Sequence, residues 1–195
     1  MMTVEKRYSN TTFMVLCGLF AALTAICSFI SIPLGFTPIP VNLGTLAVFL
    51  AGGILGKKYG TISLVVYVLL GAVGVPVFSG FRGGFSVLMG PTGGYIIGYI
   101  AAAFLVGLIL DAAFHRQSGS HRAVREMALC IAAMIVGLAV CYALGTAWFM
   151  FSTGTGLGAS LTACVFPFLL GDAIKILAAS LLVRKLRPLL MQTAS

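Results

Sequence analysis

Apolar stretches of about 20 residues recur along the whole chain and are separated by short linkers. A helix of about that length spans the hydrocarbon core of a bilayer. Of the 195 residues, only 8% are charged, whereas soluble domains carry about 25% charged residues. The short alternating segments typical of a membrane barrel are absent from the sequence. The chain is therefore predicted to be an all-α polytopic membrane protein, with one membrane domain over residues 1–195.

The apolar pattern predicts six spans and their orientation. We place the spans at residues 12–32, 43–56, 59–79, 92–114, 124–151 and 159–183. The linkers alternate between basic ones and ones rich in Gly and Pro, and Lys and Arg collect on the cytoplasmic side. If the basic linkers are cytoplasmic, both termini are cytoplasmic too, and ten of the 12 basic residues are explained. These ten are Lys6, Arg7, Lys57, Lys58, Arg116, Arg122, Arg125, Arg184, Lys185 and Arg187. The net charge of +8 then reflects topology and attraction to anionic membrane lipid, not nucleic-acid binding.

Two basic residues remain unexplained: Arg82, in a predicted outer loop, and Lys175, inside the last span. Asp172 precedes Lys175 by three positions, so the two side chains share one helix face and can meet. A charge at the centre of a membrane helix costs about 2.5–3.5 kcal/mol on insertion scales. Such a pair is either a structural ion pair between helices or a polar anchor for a ligand, and the spacing leaves both open.

The segment at residues 80–100 is dense in glycine. Gly90, Gly94 and Gly98 form a small-residue stripe at which another helix can approach closely. Gly93 and Gly94 also permit unusual backbone angles, with amides exposed near a ligand. The segment is interpreted either as helix packing alone or as a re-entrant loop folded over a pocket.

Aromatic residues lie near the same predicted outer level. They include Phe78, Tyr95, Tyr142 and Trp148. An aromatic belt at the membrane interface accounts for such placement as well as a binding pocket does.

The first span contains two small-residue pairs, Gly18 with Ala22 and Ala21 with Ala25. Pairs four residues apart are typical of close helix–helix contacts in lipid. The spacing does not tell whether the partner helix belongs to this chain or to another protein.

Motifs of soluble catalysis are missing from the sequence. The five cysteines are dispersed without C-x-x-C spacing, which supports neither a disulfide framework nor a metal site. "AGGILGKKYG" at residues 51–60 departs from the phosphate-loop spacing, so no ATP site is predicted in this chain. We therefore expect neither an enzyme nor a resident cofactor.

Three stretches, in order, carry a resemblance to a known family. They are "TPIPVNLGTLAVFLAGGILGKKYGTISLVVYVLLGAVGVPVFSG", "GGFSVLMGPTGGYIIGYIAAAFLVG" and "PFLLGDAIKILAA". The sequence resembles the BioY family, the substrate-binding S components of energy-coupling-factor (ECF) biotin transporters. The resemblance implies a six-helix bundle in a bacterial or archaeal cell membrane, with both termini cytoplasmic. It also implies a coupling membrane protein and two ATPase subunits as partners, docked through an A-x-x-x-A motif that Ala21 and Ala25 match.

The resemblance implies a biotin pocket near the outer side, below the loops that follow the first and third helices. Asp172 would accept hydrogen bonds from the ureido N–H groups, and Lys175 or Arg82 would hold the carboxylate. The aromatic residues above and the amides of Gly93 and Gly94 would complete the site. Many relatives read T-x-Q-T where this chain has Asn42 and Thr45. The role of that glutamine cannot be transferred, but both residues are candidate polar groups of the pocket.

The predicted function is a subunit that binds biotin from outside and releases it inward when its partners hydrolyse ATP. One alternative is an S component for another vitamin, such as riboflavin or thiamine. Two others are a membrane enzyme acting on lipid or prenyl substrates, and a small channel lined by Asp172 and Lys175.

Overall fold

A computed structural model describes residues 10–32, 35, 39–114 and 122–191. The described residues form helices α1 (Asn10–Phe29), α2 (Gly44–Ala72), α3 (Phe85–Met89), α4 (Gly93–Phe114), α5 (Arg122–Thr153), α6 (Leu157–Cys164) and α7 (Leu169–Met191). Two short antiparallel strands, β1 (Ser31–Ile32) and β2 (Val41–Asn42), join α1 to α2. The prediction of an all-α fold is confirmed. Lys6, Arg7 and Arg116, which the sequence places on the cytoplasmic side, lie outside the described residues.

Helix α2 is a hairpin, because the chain reverses at Gly56. This residue has φ 75° and ψ −177°, a combination that essentially only glycine adopts. A Cβ built on Gly60 would lie 2.6 Å from the carbonyl oxygen of Ala51. In an unbroken helix these two residues would be about 13 Å apart along the axis. Residues 44–55 and 57–72 therefore run antiparallel in backbone contact.

The hairpin bears on the number of helical segments in the bundle. Helices α1, α2, α4 and α5 are each long and apolar enough to cross a membrane. Helices α6 and α7 meet at a bend of 52° and pass the same test when they are taken together. Because α2 consists of two antiparallel halves, the helices of the described residues supply six segments, the number that the sequence predicts.

Helix α1 packs against the second half of α2. The rings of Phe13 and Tyr59 stack at 4.5 Å, and the thiol of Cys17 donates to the carbonyl of Tyr59. Ala21 and Ala25 lie on this inward face and are only 3% and 8% exposed. The pair predicted to dock a partner is therefore covered by the chain's own core and offers no outward surface in this structure.

The glycine stripe of α4 packs against α5. A Cβ on Gly98 would lie 3.1 Å from the Cys141 sulfur, and a Cβ on Gly94 would meet the side chain of Trp148. The helix backbones approach closely at both positions, as small residues in membrane helices permit. This packing fixes α4 and α5 on one side of the pocket described next.

Candidate functional site

A pocket lies at the end of the bundle where α2 and α7 begin, here called the pocket end. It is lined by Ser28, Ile39, Pro40, Asn42, Thr45, Tyr67, Phe78, Ser79, Arg82, Val87, Thr92, Tyr95, Ile96, Tyr99, Cys141, Tyr142, Cys164, Phe168, Asp172 and Lys175. Most of these side chains are apolar or aromatic, and the few charged and amide groups converge from different elements. Such a composition is typical of small-molecule sites.

The carboxylate of Asp172 is the centre of a polar cluster in this pocket. One oxygen accepts from the Lys175 ammonium at 2.8 Å and from the Thr45 hydroxyl at 3.0 Å. The other oxygen accepts from the hydroxyl of Tyr142. The Lys175 ammonium also donates to the Thr45 hydroxyl at 3.1 Å. Three donors from α2, α5 and α7 thus converge on one carboxylate.

Burial makes this cluster expensive unless it is paired. Asp172 and Lys175 are 2% and 7% exposed, and a buried charge must be compensated by a partner and by hydrogen bonds. Both charges belong to α7, so the pair does not join two helices as the structural alternative supposes. An ammonium has three donors, and two of those of Lys175 are engaged within the described residues. The members of the cluster therefore compensate one another while they face the pocket.

A second set of polar groups lies beside the cluster. The Asn42 side-chain oxygen accepts from the amide of Gly44 at 2.9 Å and from the hydroxyl of Tyr99 at 3.4 Å. The hydroxyls of Ser28 and Tyr67 are 3.0 Å apart. Sequence reasoning missed Ser28 and Tyr67, since polar residues inside apolar spans do not reveal which face they occupy. Their common signal is a hydroxyl inside an otherwise apolar span.

Arg82 stands at the mouth of the pocket. Its backbone pairs with that of Phe78 in a tight loop, and its Nε donates to the carbonyl of Ser79 at 3.2 Å. Phe81, at φ 55°, stacks on Phe29 of α1 at 4.3 Å, which fixes the loop against the bundle. Arg82 is exposed whereas Lys175 is buried. The two cations thus occupy different depths.

Three of the predicted site residues lie outside the pocket lining: Gly93, Gly94 and Trp148. The Trp148 indole donates to the carbonyl of Gly90 at 3.0 Å, and its side chain packs on Gly94. A Cβ on Gly93 would meet the carbonyl of Leu88. These residues are engaged in helix packing, and they contact the pocket only through their neighbours.

A second, partly buried ion pair lies at the opposite end of the bundle. Arg187 of α7 is 1% exposed and pairs with Asp111 of α4. Its guanidinium also donates to the carbonyl of Gly53 at 2.8 Å and lies 4.9 Å from the centre of the Phe114 ring. The other Asp111 oxygen accepts from the backbone amide of Lys57 at 3.0 Å. The charge pattern of the sequence places Arg187 in a basic cytoplasmic linker. In the structure its side chain is buried and joins Asp111, Gly53 and Phe114. We call this end, with Lys57, Lys58 and Arg187, the basic end.

Comparisons with known proteins agree on one family. The model of the BioY family matches residues 2–192. A biotin transporter BioY of Thermotoga maritima is 40% identical over 172 residues, which cover 88% of this chain and 94% of that protein. A biotin transporter BioY of Rhizobium etli is 37% identical over 177 residues, covering 90% and 92%. The crystal structure of the S component for biotin from an ECF-type ABC transporter superposes with a TM-score of 0.82 at 31% identity, covering 96% of this chain and 95% of that one.

Proposed function

The chain belongs to the BioY family, and on this premise we propose that it is the biotin-binding membrane subunit of a biotin uptake transporter. The observation that carries the proposal is the buried cluster of Asp172, Lys175, Thr45 and Tyr142, which faces a pocket with aromatic walls. A ligand with N–H donors and an apolar body matches that arrangement.

The chemistry of biotin divides between the two depths of the pocket. The ureido ring has two N–H donors and one carbonyl acceptor, and it suits the buried carboxylate of Asp172 and the adjacent ammonium of Lys175. The thiophane ring and the valeryl chain suit the walls formed by Phe78, Tyr95 and Tyr99. The carboxylate of biotin then reaches the mouth, where the exposed guanidinium of Arg82 lies. Lys175 is thus assigned to the ring and Arg82 to the carboxylate.

Transport requires partners, and we assign them by class. A coupling membrane protein and two ATPase subunits would supply the energy, so this chain needs no cofactor of its own. Of the two small-residue pairs in α1, Gly18 and Ala22 are exposed, and no atom of the described residues lies within 4 Å of a Cβ built on Gly18. The outward face of α1 is therefore the surface that we assign to docking, instead of Ala21 and Ala25. Both termini are assigned to the cytoplasmic side of a bacterial or archaeal cell membrane, following the basic linkers.

Biotin binding to purified variants tests the proposal. Asp172→Asn and Lys175→Ala each leave a buried polar partner unpaired, which costs about 2–5 kcal/mol in comparable buried pairs. We expect at least 30-fold weaker binding by isothermal titration. Lys185→Ala is the matched control, since it removes an exposed lysine from the same helix far from the pocket. Wild-type affinity in both pocket variants would remove this cluster from the site. Tighter binding of riboflavin or thiamine than of biotin would reassign the vitamin.

A further inference from the structure

The basic end carries a second, separate pocket. It lies between α1, the turn of the α2 hairpin and α4, and its volume is about 420 Å³. Its lining consists of Phe13, Leu55, Lys57, Lys58, Tyr59, Leu108, Asp111 and Ala112. None of these residues contributes to the pocket at the other end.

The charge of this pocket is positive. The carboxylate of Asp111 is already engaged by Arg187 and by the backbone amide of Lys57. The side chains of Lys57 and Lys58 are exposed, and no carboxylate of the described residues pairs with either ammonium. Lys58 lies 5.2 Å from the centre of the Tyr59 ring. Two ammonium groups are therefore available to an anion at this site.

The walls below the two lysines are apolar. Leu108 and Ala112 are exposed on the surface of α4, where a membrane protein meets lipid chains. Phe13 and Tyr59 stack against each other on the opposite side and form a flat aromatic wall. A free phosphate would use only the two cations, whereas a molecule with an anionic head and an acyl chain would use the cations and the walls together.

We propose that this pocket binds an anionic phospholipid. The phosphate lies between the ammonium groups of Lys57 and Lys58, and an acyl chain runs along Leu108 and Ala112. Basic pockets between membrane helices are a recurrent way to hold anionic head groups. The proposal does not depend on biotin binding, because the two pockets share no residue.

The experiment compares two double variants of the detergent-purified protein. Lys57→Gln/Lys58→Gln removes the two pocket charges, and Arg184→Gln/Lys185→Gln removes two charges of the basic end that do not line the pocket. Bound lipid is counted by native mass spectrometry, and the Tm is recorded as phosphatidylglycerol, phosphatidylcholine or glycerol 3-phosphate is added. We expect phosphatidylglycerol to bind the wild type and raise its Tm, with an apparent affinity about 30-fold lower in the pocket variant.

The control variant is expected to bind phosphatidylglycerol within about threefold of the wild type. Without lipid, both variants are expected to keep the wild-type Tm, because the side chains that they change have no ion-pair partner among the described residues. Equal binding by the pocket variant, or an equal loss in the control variant, would overturn the proposal. A Tm increase as large with phosphatidylcholine or with glycerol 3-phosphate would overturn it too, since the site would then require no anionic head or no chain.

Discussion

Helix α7 carries an ion pair with a buried basic residue at each end, and the two pairs are built differently. Asp172 and Lys175 belong to the same helix turn, and their remaining contacts, with Thr45 and Tyr142, surround a pocket. Arg187 pairs with Asp111 of another helix and also holds the hairpin through Gly53. The first pair contacts α2 and α5 through Thr45 and Tyr142 and presents charge to a ligand in the pocket. The second pair joins α7, α4 and α2 and presents no charge to that pocket.

This difference predicts that stability and ligand binding can be separated by mutation. Loss of a partner at the basic end should unfold the bundle more easily without affecting the ligand. Loss of a partner at the pocket end should weaken ligand binding more than it destabilises the fold.

Arg187→Met should give the largest loss of stability. Removing one partner of a buried ion pair costs about 3–5 kcal/mol, and the lower value is expected because the Asp111 side chain is 22% exposed. Thermal unfolding in detergent should show a clearly lower Tm, whereas biotin affinity should stay within about threefold. Adding Asp111→Asn should recover part of the loss, since it removes the stranded charge. A fall in biotin affinity as large as that of Asp172→Asn would erase the distinction between the two pairs.

Tyr142→Phe should weaken biotin binding more than it destabilises the fold. It removes the hydroxyl that donates to Asp172, and a hydrogen bond to a charged group contributes about 1.5–3 kcal/mol. We expect biotin affinity to fall about tenfold in a titration. Tyr67→Phe is the matched control, because that hydroxyl also lies in the pocket but bonds to Ser28. Equal losses of biotin affinity in both variants would show that the hydrogen bond to Asp172 contributes no more to binding than the hydrogen bond to Ser28.

Gly56→Ala should destabilise the basic end alone. The residue has φ 75°, and such backbone conformations cost other residues about 1–3 kcal/mol. The added Cβ would also lie 2.7 Å from an oxygen of Asp111. The expected result is a lower Tm with unchanged biotin affinity. Gly158→Ala serves as the control, since no atom of the described residues lies within 4 Å of its Cβ position; an equal decrease there would contradict the argument.

Arg82→Gln should have the smallest effect, on the kinetics of binding. Exposed charge pairs contribute about 0.2–1 kcal/mol, so the affinity for biotin should fall less than about fivefold. The association rate should lose most of its salt dependence, because a rim charge acts mainly on encounter. The methyl ester of biotin has no carboxylate and should bind the variant and the wild type alike. An equal loss for the ester would show that Arg82 does not hold the carboxylate.

The sequence predicts the pocket-end pair but not the basic-end pair, and the reason is separation along the chain. Asp172 and Lys175 are neighbours on one helix face, so their spacing alone indicates contact. Arg187 and Asp111 come from different helices, and the charge pattern around Arg187 is explained equally well by topology. Only the tertiary packing shows that this one arginine is buried.

Helix orientation accounts for the other differences. The pairs Gly18 with Ala22 and Ala21 with Ala25 have the same spacing, and no pattern tells which of them faces inward. The reversal near Gly56 is different, because Lys57 and Lys58 interrupt the apolar run and indicate a linker. Charge thus predicts where the chain turns, whereas small residues predict contact without naming the partner.

The distance between the two ion pairs bears on how deep in the membrane the pocket lies, and so on how strongly the membrane potential acts there. Residues 172 and 187 are separated by about 22 Å along α7 at 1.5 Å per residue, and the hydrocarbon core is about 30 Å thick. If Arg187 lay at one boundary of that core and α7 stood upright in it, residue 172 would lie about 8 Å inside the other boundary. A single charge crossing the whole membrane gains or loses about 2.3 kcal/mol per 100 mV, but an acid and a base held 2.8 Å apart sum to zero. The membrane potential therefore acts only weakly on the Asp172–Lys175 pair. The uncharged ureido ring of biotin can enter or leave this part of the pocket without electrical work.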